Sequence, residues 1–213
     1  MCGIVASKSI NTFKKLIELN QSRGSFSYSL TILFYSDDYS KLGNIELYKG
    51  FGEFNFKLLD DLNEIDTMYL IGHIQAPTNG LVEDIERIHP SKYYGHYLYH
   101  NGILKTEYIN EYAKMYSGWD TELLNKMIFG CGYNCLEFVK GSFACIELKG
   151  SIISVFRNNN SIIYYDRFMN FSSAKFDDSI ELSSGEVFNI NLHDNKLIPT
   201  YTFKCSDNYY VEI

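Results

Sequence analysis

Ser142–Asn160 reads SFACIELKGSIISVFRNNN, two apolar runs rich in β-branched residues, split by Lys149-Gly150 and closed by Asn158-Asn159-Asn160. Both punctuations are hairpin-type turn signals, so the runs are predicted to be short antiparallel strands. The pattern repeats through Ser184-Gly185 and Asp194-Asn195, and antiparallel sheet is expected to dominate the last third of the chain. Working back toward the N-terminus, Tyr28–Tyr35 (YSLTILFY) and Asn44–Tyr48 (NIELY) read as paired strands punctuated by Gly43 and Gly50. Thr67–Ile74 and Tyr93–Tyr99 are predicted strands separated by an irregular loop, and Cys2-Gly-Ile-Val-Ala reads as a short buried strand. Helical spacing appears in Phe13, Leu16, Ile17 and Leu19, behind Asn11 or Thr12 as cap, and in Phe56–Ile65. It appears again in Thr106–Met115 and Trp119–Phe129, with Thr106 or Ser117 as caps. Segregated antiparallel strands with two helical blocks imply an α+β fold, two sheets packed between helices.

The 213 residues require one domain and leave no linker, repeat or low-complexity tract, so residues 1–213 are taken as a single unit. With 46% hydrophobic and 21% charged residues, the chain can bury a core and is not of the disordered class. A net charge of −7 opposes the electrostatic attraction on which direct nucleic-acid binding rests. No apolar run approaches the 18 or so residues of a membrane span, and the first twenty residues lack the layout of a secretory signal. A soluble, cytoplasmic protein is expected. The five cysteines, Cys2, Cys131, Cys135, Cys145 and Cys205, are odd in number and irregularly spaced, which suits reduced thiols. Cys131 and Cys135 have no second Cys or His pair at zinc-site spacing, and there is no phosphate loop or dinucleotide fingerprint. Neither a metal nor any other cofactor is expected.

Cys2 is the most unusual position. Aminopeptidases remove Met1 when the next side chain is small, which exposes the cysteine's own α-amine. A thiol of pKa about 8.5 beside an amine of about 7.7–8.0 combines nucleophile and base in one residue, with no catalytic histidine. The competing reading is a small residue starting a buried strand. His100-Asn101-Gly102 follows a predicted strand, and the Asn101 amide with the Gly102 N–H could converge on one oxyanion. Its competing reading is a plain Asn-Gly turn.

Together these residues resemble the class II glutamine amidotransferase (glutaminase) domains of the N-terminal nucleophile (Ntn) hydrolases. The resemblance runs in order along nearly the whole chain. It begins with Met1-Cys2-Gly3-Ile4 and continues with Arg23-Gly24 and Ser27 in place of an RGxDS segment, then Lys49-Gly50. Gly72-His73-Ile74-Gln75-Ala76-Pro77-Thr78-Asn79-Gly80 is similar to the family's GHxRxxTxG, His89-Pro90 to its HP pair, and His100-Asn101-Gly102-Ile103 to its HNGII. Trp119-Asp120-Thr121-Glu122 resembles TDTE, and Lys140-Gly141-Ser142-Phe143-Ala144 resembles LxGxFA, with Phe156-Arg157 and Ser184-Gly185-Glu186-Val187 as later landmarks. The resemblance implies a four-layer αββα sandwich in which Cys2 attacks the side-chain amide of L-glutamine. A γ-glutamyl thioester then forms and is hydrolysed to glutamate. It also implies catalytic roles for Asn101 and Gly102 as the oxyanion hole, Asp120 as partner of the substrate α-ammonium, and Thr78 and His89 as lining of the glutamine pocket. Asp120 also suits a helix N-cap, and His89 beside Pro90 also suits a loop.

Three positions depart from the pattern. Gln75 stands where the family places an arginine for the substrate carboxylate, and an amide brings neither charge nor a guanidinium fork. Losing such a pair costs on the order of 1.5–3 kcal/mol, roughly ten- to a hundredfold in affinity, unless Arg23 or Arg87 substitutes. Phe26 replaces the acid of RGxDS, and Ser172-Ser173-Ala174-Lys175 replaces a late ASD-like segment, positions read as support for the N-terminus and pocket. Since the glutaminase resemblance consumes nearly all of the chain, a separate ammonia-accepting synthase is the expected partner, with a nucleotide or nucleobase as acceptor. Two other readings stand beside this one: an Ntn-type amidase acting on another linear amide, and an inactive binding or regulatory module.

Overall fold

Alternation along the strands decides where each side chain goes, and it sorts the apolar residues into three cores. The computed structural model describes residues 2–60, 62, 67–76, 84–105 and 118–205. A first sheet has the order β11-β9-β10-β1-β4-β2-β3, from β1 (Gly3–Ser7), β2 (Ser27–Tyr35), β3 (Leu42–Phe51), β4 (Met68–Gln75), β9 (Tyr164–Tyr165), β10 (Phe171–Ser172) and β11 (Ile180–Glu181). A second sheet runs β13-β12-β8-β7-β6-β5, from β5 (Ser91–Tyr93), β6 (His96–Leu104), β7 (Gly141–Lys149), β8 (Ile152–Arg157), β12 (Glu186–Asn191) and β13 (Lys196–Thr202). The pairings within both sheets are antiparallel.

Ile4 and Ala6 of β1, Tyr69 and Ile71 of β4, Tyr99 of β6, and Ala144, Ile146 and Leu148 of β7 share the core between the sheets. The intervening residues point outward. Val5, Leu70 and Ile74 join Phe13, Leu16 and Ile17 of helix α1 (Ile10–Asn20). Leu98, Phe143 and Cys145 join Leu123, Leu124 and Met127 of helix α2 (Asp120–Cys131). A period of two on the strands and of 3.6 on the helices therefore produces the four-layer αββα sandwich expected from the resemblance. Each fully buried side chain of the α1 face, such as Phe13 or Ile17, contributes roughly 1.5–3 kcal/mol relative to exposure.

Local expectations needed correcting in four places. Ser9, not Asn11 or Thr12, caps α1, its hydroxyl accepting from the Thr12 N–H at 3.4 Å. The Phe56–Ile65 stretch, predicted helical, begins with a 3-10 turn at Phe56–Leu59 rather than an α-helical turn, and residues 61 and 63–65 lie outside the described residues. Tyr93–Tyr99 is not one strand: Tyr94 and Gly95, with φ of 44° and 81°, form a two-residue turn between β5 and β6. Asn101-Gly102 is not a turn but lies inside β6, paired with Ala144 and Phe143. The predicted helix over 106–115, with its cap Thr106, lies outside the described residues, as does Ser117. Among those residues no helix is long and apolar enough to cross a membrane, no group of three metal-ligating side chains forms, and none of the five cysteines is in a disulfide.

Candidate active site

The same alternation that turns Ile4 and Ala6 toward the inter-sheet layer turns Cys2 toward its end, beside the C-terminal end of β4. Cys2 is buried, and its thiol lies 3.6 Å from the Ala76 carbonyl oxygen. Burial pushes the thiol pKa up, the charge of Asp120 adds to this, and the charge of Arg23 opposes it. Burial therefore favours the neutral thiol at Cys2. Arg23 donates from Nε to the Cys2 carbonyl at 3.0 Å. Gly24 allows that placement, because a Cβ there would stand 2.5 Å from the Gln75 carbonyl carbon. The RG pair thus seats a guanidinium against the backbone of Cys2.

Asn101 and Gly102 reach the same place from the second sheet. Asn158 bonds both main-chain groups of Phe143, donating its N–H to the Phe143 carbonyl at 3.0 Å and accepting the Phe143 N–H on Oδ1 at 3.1 Å. Phe143 therefore faces β8, and its partner Gly102 forms a non-hydrogen-bonded pair whose N–H is directed away from β7. Its neighbours along that edge behave alike: the His100 carbonyl accepts from His73 Nε2 at 3.1 Å, and the Leu104 N–H faces Asp120 Oδ2 at 3.5 Å. Gly102 has φ of 150°, and a Cβ there would run into the Ser142 carbonyl oxygen. Only glycine fits both the dihedral and the space.

Ser173 couples the two halves. Its Oγ accepts from the Ile4 N–H at 3.0 Å and from Asn101 Nδ2 at 3.2 Å, while its N–H donates to the Ile4 carbonyl at 2.9 Å. One serine thus fixes the strand that carries Cys2 and orients the Asn101 amide. Ser161 Oγ donates to the Asn101 carbonyl at 3.0 Å. A cavity of about 850 Å³ opens here, with Cys2, Arg23, Asn101, Gly102, Ser173 and Lys175 among its lining residues. Its size is that of a small-molecule pocket.

The other sequence-predicted residues sit apart from that lining. Gln75 is buried in β4 and accepts from Ser27 Oγ at 3.0 Å. Asp120 opens α2, with Trp119 rather than Ser117 at the N-cap; its Oδ1 accepts from the Thr121 N–H at 2.8 Å. Thr78 lies outside the described residues, as does Met1. His89 lies in a bend just before β5 and is buried there, its ring stacked on His73 at 3.7 Å and edge-on to Trp119 at 4.6 Å.

Sequence reading missed Thr121, the hub of this histidine cluster. Its Oγ1 lies 3.1 Å from His89 Nε2 and 3.0 Å from His100 Nδ1. His100 Nε2 donates to the Ser142 carbonyl at 3.1 Å, so with a neutral ring its Nδ1 accepts from the Thr121 hydroxyl, which in turn accepts from His89 Nε2. His73 Nε2 donates to the His100 carbonyl, leaving Nδ1 of both His73 and His89 as buried acceptors without a partner among the described residues. Burial pushes His73 down to about 3 and holds His89 well below the ordinary histidine range. Both rings are neutral near pH 7 and act as struts behind the Asn101-Gly102 strand. The signal available in sequence was the threonine after Asp120, a short polar residue in the first turn of the helix.

Neither a protein-family model nor a curated protein matches the sequence. Among solved structures, the fold is similar to that of the glutamine phosphoribosylpyrophosphate (PRPP) amidotransferase from B. subtilis complexed with ADP and GMP. The TM-score is 0.67 at 20% identity, over 94% of this chain and 49% of that one. It is also similar to a structure described as the allosteric regulatory enzyme of purine biosynthesis, with a TM-score of 0.68 at 18% identity, over 94% of this chain and 48% of that one. The chain spans about half the length of each, and the shared property is the fold.

Proposed function

We propose that this chain is a glutaminase of the class II amidotransferase type, with residues 1–213 forming one such domain. The observation that carries the reading is the convergence of the Cys2 thiol, the Asn101 amide and Gly102 on one cavity, with Ser173 tying the nucleophile's strand to the amide. Once Met1 is removed, the α-amine of Cys2 takes the thiol proton, directly or through a water. The thiolate adds to the side-chain carbonyl carbon of glutamine. The oxyanion that develops is met by the Asn101 amide and the Gly102 N–H, donors set in place before the reaction. The ammonium of Cys2 returns the proton to the leaving nitrogen, the C–N bond breaks, and ammonia departs from a γ-glutamyl thioester. Water activated by the same amine cleaves the thioester, giving glutamate and the free thiol. Asp120, whose carboxylate shares the open edge of β6 with Gly102, offers a charge partner to the substrate α-ammonium.

The ammonia passes to a separate synthase that modifies an acceptor. The names of the similar structures, PRPP amidotransferase and an enzyme of purine biosynthesis, support an acceptor of the nucleotide class. The test is direct: purified protein with Met1 removed releases equal amounts of glutamate and ammonia from L-glutamine, and Cys2→Ala abolishes the release. Undiminished release by Cys2→Ala, or none by the processed protein, overturns the reading. A second reading, an amidase acting on a different linear amide, draws on the uncharged, buried Gln75. It predicts turnover of amides that lack an α-carboxylate in preference to glutamine.

A further inference from the structure

Three buried polar atoms of neighbouring side chains have no hydrogen-bond partner among the described residues: Ser29 Oγ, His73 Nδ1 and His89 Nδ1. Strand pairing explains why they meet. Ser29 of β2 lies directly opposite His73 of β4, and His73 lies directly opposite Ile4 of β1, so these side chains turn toward the layer between the sheets that Ile4 helps to fill. His89 joins them by stacking on His73. Ser29 and His73 are 0% exposed and His89 3%, so bulk solvent does not meet these atoms. The neighbours of Ser29 on the same face of β2 are paired: Ser27 donates to Gln75 Oε1 at 3.0 Å, and Thr31 shares a short hydrogen bond with the Tyr99 hydroxyl. The unmet hydroxyl is therefore a property of one place and not of the strand. Buried polar groups are as a rule hydrogen-bonded, and three exceptions side by side point to a shared partner.

The donors and acceptors define that partner. His73 spends its Nε2 proton on the His100 carbonyl and His89 spends its own on Thr121, so both Nδ1 atoms present lone pairs. Two lone pairs repel an anion. A cation is opposed by Lys49, which stands opposite Ser29 on β3 and whose charge bears on His89, and among the described residues no group of three metal-ligating side chains forms. We infer that Ser29, His73 and His89 form a binding site for one small neutral hydrogen-bond donor, water or ammonia. Water matches the site atom for atom: its two hydrogens go to the two Nδ1 atoms and a lone pair takes the Ser29 O–H, three bonds being typical of a buried water. Ammonia makes the same bonds with one hydrogen to spare. The bound molecule links β2 to β4 and to the segment carrying His89, and so extends the frame that His73 and Thr121 set behind the Asn101-Gly102 strand.

The experiment takes two readings on the full chain. A high-resolution crystal structure is expected to show density for one non-hydrogen atom within about 3.2 Å of Ser29 Oγ and of both Nδ1 atoms. Urea unfolding compares Ser29→Ala with Thr31→Val, which removes a hydroxyl that already has a protein partner. Ser29→Ala takes a partner from the bound molecule and is expected to lower the midpoint about as much as Thr31→Val does. Removal of a hydroxyl that met nothing would leave the midpoint unchanged or raise it. Absence of that density, or a midpoint that Ser29→Ala does not lower, overturns the inference. Midpoints in ammonium chloride and in sodium chloride of equal concentration, at about pH 9, identify the occupant. A higher midpoint in the ammonium salt, lost in Ser29→Ala, assigns ammonia, and equal midpoints assign water. None of these readings uses glutamine, so a failure here leaves the glutaminase reading standing.

Discussion

The two ends of the candidate site are built by different means. At the nucleophile end, Cys2, Asn101 and Gly102 are placed by strand register, by one serine bridging both sheets, and by a backbone conformation that only glycine adopts. At the proposed substrate-head end, Gln75, Asp120 and Arg23 sit at the end of a strand, the start of a helix and the end of a 3-10 turn. The first end is tied to the sandwich itself, and moving any part of it disturbs sheet pairing. The second consists of side chains that can be exchanged while the sheets stay as they are. The fold is shared with proteins that are only 18–20% identical to this chain.

This comparison sharpens or breaks on substitutions at each end. The largest effect is expected from Asn101→Ala, which removes a donor of the proposed oxyanion hole: kcat falls about a hundred- to a thousandfold, with KM changed by less than a few-fold. Steady-state kinetics check it, and a comparable loss in KM instead would move Asn101 to the substrate-head end. Thr121→Val keeps the shape of the hub but removes its hydroxyl. The buried His89 and His100 nitrogens then lose their partner, and a destabilisation of about 1–3 kcal/mol is expected by urea unfolding. Fast, undiminished turnover in a fully folded Thr121→Val protein would separate the histidine cluster from the Asn101-Gly102 strand.

Acid should weaken the same cluster. His73 has a folded pKa near 3 against about 6.5 unfolded, so between these values the unfolded chain binds the extra proton and stability rises with pH. The stability present above pH 6.5 is therefore lost on acidification through that window. The loss amounts to about 2 kcal/mol from His73 by pH 5, and His89 acts in the same direction. Denaturant midpoints at pH 7 and pH 5 measure it, and His73→Gln should flatten the slope. The smallest effect is expected at Gln75. Because its amide meets Ser27 and not the cavity, Gln75→Met should change KM for glutamine less than about threefold. A tenfold rise would return Gln75 to the substrate.

Much of this was legible in the sequence because it is local or periodic. Ile4, Ala6, Val5, Tyr69 and Leu70 alternate in a way that fixes two faces before any partner is known. Cys2 and Asn101-Gly102 stood out because their chemistry is written in one or two residues. The Tyr94-Gly95 turn was hidden inside an aromatic run that reads as continuous strand, and Asn101-Gly102 looked like a turn because neither strand partner of that segment is visible from its own letters. The bridges from Ser173 to Asn101 and from Ser161 to Asn101 span 72 and 60 residues, and the Thr121 hub joins three elements. Contacts of that range arise from sheet packing, which short-range pattern does not encode.

The central claim is that Cys2 is a free N-terminal nucleophile inside a working glutamine pocket. It is tested most directly by the intact mass of the purified protein before and after treatment with an electrophilic glutamine analogue. The account predicts a mass lacking Met1, one adduct at Cys2 in the unmodified sequence, and none in Cys2→Ala. Retention of Met1, or loss of Met1 with no adduct formed, would contradict it.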